Sequence, residues 1–140
     1  MKEILFRGKR IDNGEWIEGY YVKTVDYLTD SAVHLIIELP SAFYPRGEIA
    51  GEYEINSSTV GQYTGLTDKN GKKIFEGDIV EFRTSLKKYY AKVYYKKGMW
   101  SLYIKGFNDR YMLSVAVEND YSVKVIGNIH DNPELLEVEE

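Results

Sequence analysis

Apolar and polar positions along this chain alternate mostly with a period of two, the repeat of a strand with one dry and one wet face. Turn residues cut the alternation into short runs. Asn13-Gly14 falls between runs at 6–11 and 16–22, the pattern of a tight hairpin. Thr29-Asp30-Ser31 separates 20–28 from 32–39, Asn70-Gly71 separates 63–66 from 73–75, and Lys97-Gly98 separates 91–95 from 99–104. Asn108-Asp109 and Asn119-Asp120 mark two further reversals, ahead of predicted strands at 111–117 and 121–126. Alternation sorts the later runs into faces. Ala91, Val93 and Tyr95 point one way, and Tyr90, Lys92, Tyr94 and Lys96 the other. Trp100, Leu102 and Ile104 point inward, with Ser101, Tyr103 and Lys105 outward.

Helical periodicity is scarce. The best helix start is Asn132-Pro133-Glu134-Leu135-Leu136, with an N-cap, a proline at the first helical position and an acid in the first turn. Residues 40–54 hold two of the three prolines together with Gly47 and Gly51, and read as a long irregular connection. Many short strands with frequent turns predict antiparallel sheets rather than βαβ units. The expected fold is therefore a single, mainly β, antiparallel domain. An N-terminal β-hairpin layer over residues 1–60 packs on a small, partly open barrel over 61–140, with little helix. The barrel is SH3-like by analogy, since Gly77-Asp78-Ile79-Val80 opens a strand that a meander follows.

Composition supports a packed core. At 140 residues the chain fits one domain, and 44% hydrophobic with 14% aromatic residues excludes a disordered chain. Thirteen tyrosines suit a half-buried pleated surface. The absence of Cys excludes disulfides, thiolate nucleophiles and Cys-based zinc sites. The N-terminal apolar run, Ile4-Leu5-Phe6, is shorter than the roughly 7–15 residues of a signal-peptide core. Leu35-Ile36-Ile37 is far below the ~20 residues of a membrane span. These features predict a soluble cytoplasmic protein with no membrane association, in which Asn56-Ser57-Ser58 is a chance glycosylation match.

Catalytic patterns are absent. His34 sits in a strand-like run and His130 in a turn, neither with the local signature of a hydrolytic triad or a zinc site. Asp68-Lys69-Asn70-Gly71 fails as a calcium loop, because Leu66 and Gly77 then occupy ligand positions; it reads as an Asx-Gly turn. The run from Gly65 to Gly71-Lys72 has one residue too many for a phosphate loop, and Lys73 stands where Ser or Thr belongs. Glu76, Asp78 and Glu81 cluster around Gly77, either as an acidic strand entry or as carboxylates for a hard cation. No catalytic, metal-binding or cofactor-binding residue is assigned, and the reading leans away from an enzyme.

Charge is unevenly spread. The net charge is −4, yet residues 82–117 hold eight basic residues and one acid, a net +7 that leaves −11 for the rest. The same stretch carries nine aromatic residues. Lysines attract phosphates and exposed aromatic rings stack on bases, so Tyr90, Lys92, Tyr94, Lys96, Tyr103 and Lys105 form a candidate interaction surface. The alternatives are a solvated face whose lysines blunt a sheet edge, and pairing with the acidic remainder within a monomer or across a homo-oligomer interface.

Three blocks resemble the YopX family of bacteriophage and prophage proteins. The first is Phe6-Arg7-Gly8-Lys9-Arg10 with Trp16-Ile17-Glu18-Gly19-Tyr20-Tyr21-Val22. The second is Thr59-Val60-Gly61-Gln62-Tyr63-Thr64-Gly65-Leu66-Thr67-Asp68-Lys69-Asn70-Gly71-Lys72-Lys73-Ile74-Phe75-Glu76-Gly77-Asp78-Ile79-Val80. The third is Val125-Ile126-Gly127-Asn128-Ile129-His130-Asp131-Asn132-Pro133-Glu134-Leu135-Leu136. The resemblance spans nearly the whole chain and implies a mostly β fold in a phage genome, with no family activity or catalytic residue to transfer. In one departure, Ile55-Asn56-Ser57-Ser58 stands where an acidic residue commonly precedes Thr-Val. The expected role is a non-enzymatic interaction module in the host bacterial cytoplasm, with nucleic acid or a host or phage protein as partner. The alternatives are a metal-assisted enzyme using Glu76, Asp78 or Glu81, and a structural or accessory phage component.

Overall fold

The computed structural model describes residues 3–38, 51–105 and 111–137. It divides into two compact units, residues 1–62 and 63–140; the sequence reading set its division at 60/61. The predicted turn at Asn108-Asp109 and most of the irregular connection lie outside the described residues. From Glu52, however, that connection is already strand.

In the first unit, β1 (Phe6–Arg10) and β2 (Trp16–Asp26) form the expected hairpin. β2 then pairs β3 (Ser31–Glu38), and β3 pairs the start of β4 (Glu52–Thr67). β4 returns to β1, with Arg10 opposite Ile55 and Phe6 opposite Gln62, so the pairings run in a cycle through all four strands. The cycle is interrupted by an irregularity between Arg7 and Lys9, where the β4 partner jumps from Gly61 to Asn56. The Lys9 N–H is satisfied there by Thr59 Oγ1 at 2.9 Å. Leu5, Ile36 and Ile55 are fully buried in this unit.

In the second unit, the end of β4 pairs β5 (Lys73–Phe75), and a five-stranded antiparallel sheet runs in the order β10-β6-β7-β8-β9. Its strands are β6 (Asp78–Arg83), β7 (Lys88–Lys96), β8 (Met99–Tyr103), β9 (Tyr111–Met112) and β10 (Lys124–Asn128). The mainly β antiparallel expectation holds, but this sheet stays open, with β10 and β9 as its edges. One face carries the core. Val80 and Phe82 from β6, Ala91 and Val93 from β7, and Leu102 and Ile104 at β8 join Ile74, Val123 and Val125.

The predicted strand at 111–117 is instead two residues of β9 followed by helix α1 (Leu113–Glu118). Leu113, Ala116 and Val117 are spaced three and four apart, and all three contact the core. Run length misleads here: the six residues Leu-Ser-Val-Ala-Val-Glu satisfy both repeats, and packing decides between them. The last block forms a 3-10 helix, Pro133–Glu137, as its capping pattern predicts.

The β7–β8 turn has Lys97 at φ 51° and Gly98 at φ 84°, the two positive-φ positions of a type I′ hairpin turn. Lysine bears strain there that glycine or asparagine does not. Lys97→Gly is expected to raise the unfolding free energy by about 0.5–1 kcal/mol, read by urea denaturation. No change or a loss would contradict this account of the turn.

Candidate functional site

The wet face of the second sheet is set by register. Lys92 lies opposite Ile79 on one side and Tyr103 on the other; Tyr90 lies opposite Glu81, and Tyr94 opposite Ser101. Directly opposed residues share a face, so Tyr90, Lys92, Tyr94, Lys96 and Tyr103 do project together. Lys105 follows just beyond β8 and is exposed. The pairing brings in three cations outside the predicted set, one of them Arg83 of β6, opposite Lys88. Lys88 is the next residue of the same alternation, and Lys124 of β10 stands opposite Glu81.

The side chains form a cation–aromatic cluster. Tyr94 and Tyr103 meet edge to face, with ring centroids 6.3 Å apart. Lys92 Nζ lies 5.3 Å from the Tyr103 ring and 6.0 Å from the Tyr94 ring. Lys88 Nζ lies 5.4 Å from the Tyr90 ring. Tyr103 is exposed, while Tyr90, Lys92 and Tyr94 are half-buried.

The face is open on one side and covered on the other. Ile79 points the same way as Lys92 yet is fully buried. The 3-10 helix packs against β7, and a Cβ on Gly127 would stand 2.9 Å from Leu135 Cδ1. The open part is therefore the β7–β8 hairpin. At the covered margin, Lys105 Nζ pairs with Glu137 Oε2 at 3.0 Å.

Two residues keep the faces the alternation gives them but not the exposure expected there. Tyr95, predicted inward, is 55% exposed and packs edge to face on Trp100 with centroids 5.0 Å apart, because the core ends at Val93 and the hairpin tip extends past it. Ser101, predicted outward, is buried, a small side chain between Tyr94 and Met112 in the register.

The carboxylates do not converge. Asp78 is fully buried, and its Oδ2 accepts the Phe75 N–H at 2.7 Å, closing the turn into β6. Glu81 is three residues on and points to the opposite face, between Tyr90 and Lys124. Among the described residues, no group of three or more His, Cys, Asp or Glu is placed to hold a metal ion.

The structural work of the second and third blocks falls on Asp68 and Asn128. Asp68 Oδ1 accepts the N–H groups of Asn70 (2.8 Å) and Lys72 (2.9 Å), and Oδ2 accepts the N–H of Val125 (2.9 Å). Burial alone pushes this carboxyl up, but the N–H groups of Val125, Lys72 and Asn70, with the Lys72 charge, outweigh it and hold the carboxyl below the ordinary 3.8. Asn128 Oδ1 accepts the N–H groups of His130 and Asp131, so His130 belongs to a turn ordered by its neighbour. His34 lies in β3, with Nδ1 2.5 Å from the Tyr21 hydroxyl.

Among the described residues, no helix is long and apolar enough to cross a membrane. Residues 5–137 match a family profile described as "YopX protein". The fold is similar to a crystal structure of protein EF1440 from Enterococcus faecalis. The two share 27% identity with a TM-score of 0.61, over 97% of this chain and 99% of that one. Among curated proteins none matches the chain.

Proposed function

We propose that this chain, which belongs to the YopX family, is a non-enzymatic binding module whose β7–β8 face takes up single-stranded nucleic acid in a phage-bearing bacterial cytoplasm. The observation that carries the reading is Lys92 set over both Tyr94 and Tyr103 on the open side of a sheet. Rings supply stacking surfaces for any base, and the lysines beside them meet the backbone phosphates. The net charge of −4 tempers long-range attraction, so affinity comes from the local face.

Fluorescence anisotropy with a labelled single-stranded oligonucleotide at low salt tests this. Lys92→Glu with Lys96→Glu is expected to weaken binding at least about tenfold. Contacts from three lysines to three phosphates give a salt slope of about −2 on a log–log plot. Tyr103→Ala is expected to cost roughly 1–3 kcal/mol. Undetectable binding of both DNA and RNA strands, or equal binding by the charge-reversed variant, would overturn the reading.

A further inference from the structure

Among the strand residues that the register places on the wet face of the second sheet, Glu81 alone is acidic. Around it stand four cations, Arg83 on its own strand, Lys88 and Lys92 on β7 and Lys124 on β10, together with the Tyr90 ring. Such a setting invites an ion pair. Among the described residues, however, no hydrogen bond or ion pair engages the Glu81 carboxylate. Glu81 is half-buried and Lys124 beside it is exposed, so the cover over Ile79 ends short of this row. A carboxylate here works against phosphate contacts, and a surface that bound by charge alone would do better with a neutral residue.

Its place beside a ring gives the acid another use. Glu81 and Tyr90 are directly opposed, so they share a face with Cβ atoms about 5 Å apart. Tyr90 is a stacking platform, and Lys88 Nζ, 5.4 Å from its ring, is near enough to meet the phosphate of the stacked nucleotide. A base on that ring brings its polar edge within reach of the carboxylate, which accepts hydrogen bonds and donates none. Cytosine, adenine and guanine each offer an exocyclic amino donor on that edge. Thymine and uracil offer a single N–H between two carbonyl oxygens, and those oxygens are repelled. The other two rings have no acid opposite them. Tyr94 faces the buried Ser101, and Tyr103 faces Lys92.

We infer that Glu81 is a base-selecting residue. With Tyr90 it forms a subsite for an amino-bearing base, which among the pyrimidines means cytosine over thymine or uracil. The rest of the face takes bases by stacking alone and is indifferent to their identity. The inference rests on the single-strand reading of this face given above, and adds to it a preference and the residue that sets it.

Anisotropy in neutral buffer with oligo-dC and oligo-dT strands of equal length separates the two claims, because the rings are the same size and stack comparably. Wild type is expected to bind the dC strand about tenfold more tightly. Glu81→Gln is expected to bring that ratio near one, mainly by tighter binding of the dT strand, since an amide also donates. Tyr90→Ala is expected to erase the preference as well, whereas Tyr103→Ala weakens both strands and leaves the preference in place. Circular dichroism confirms that each variant is folded. Equal binding of the two strands by wild type, a preference for dT, or a Glu81→Gln variant that gains equally on both strands overturns the selection and leaves the binding face standing. Binding of neither strand overturns the single-strand reading, and the subsite with it.

Discussion

Asp68→Ala is expected to destabilise the unit formed by residues 63–140 by roughly 3–5 kcal/mol, a large share of a small unit's stability. The substitution leaves three backbone N–H groups, those of Asn70, Lys72 and Val125, without their carboxylate acceptor. It also cuts the side-chain tie between the β4–β5 loop and β10. The effect has a pH signature. The native carboxyl lies below its ordinary 3.8, so the unfolded chain takes up a proton before the folded one does. The contribution is whole at neutral pH and down to about that value, and is lost as pH falls through the lower native pKa. Asp68→Asn keeps the shape and removes the charge. The difference in urea midpoint between wild type and this variant should be constant from pH 7 to 5 and shrink in strong acid. A difference that grew on acidification would contradict the assignment.

Gly19→Ala is expected to cost the first unit about 3 kcal/mol or more. Gly19 sits in β2 with Phe6 opposite on one side and Glu38 on the other. A methyl there would overlap the Ile37 carbonyl oxygen and stand 2.8 Å from the Ile37 carbonyl carbon and 3.0 Å from Ile36 Cγ2. Two of these atoms are backbone, so relief requires moving β3. Gly14→Ala provides the comparison. It lies in the β1–β2 turn at φ +73° with nothing within 4 Å of a new Cβ, so only conformational strain of about 1–2 kcal/mol applies. Denaturant titrations of both variants check the ranking, and equal losses would contradict the close-approach argument.

The hairpins were legible because their signals are local. Asn13-Gly14, Asn70-Gly71 and Lys97-Gly98 each fall where the chain reverses, and the alternation of β7 places Lys92 and Tyr94 on the wet face as expected. What was not legible is carried by pairings between distant segments. Nothing in residues 124–128 announces that Lys124 will stand beside Glu81, and the bond from Val125 to Asp68 spans 57 positions. Lys88 is a different omission, since the repeat that selects Tyr90 and Lys92 selects it too. The cover over Ile79 depends on where the 3-10 helix packs, which periodicity does not encode. Glu76, Asp78 and Glu81 looked like a cluster only because they are close in sequence; the pleat sends Asp78 and Glu81 to opposite faces.

The central claim is that the open β7–β8 face is the binding surface. Titrating isotope-labelled protein with a single-stranded oligonucleotide while following backbone amide chemical shifts tests it most directly. The predicted result is a set of saturable shifts concentrated at residues 88–96 and 99–105 and lost at high salt. Shifts confined to residues 6–38, or none at millimolar oligonucleotide, would contradict it.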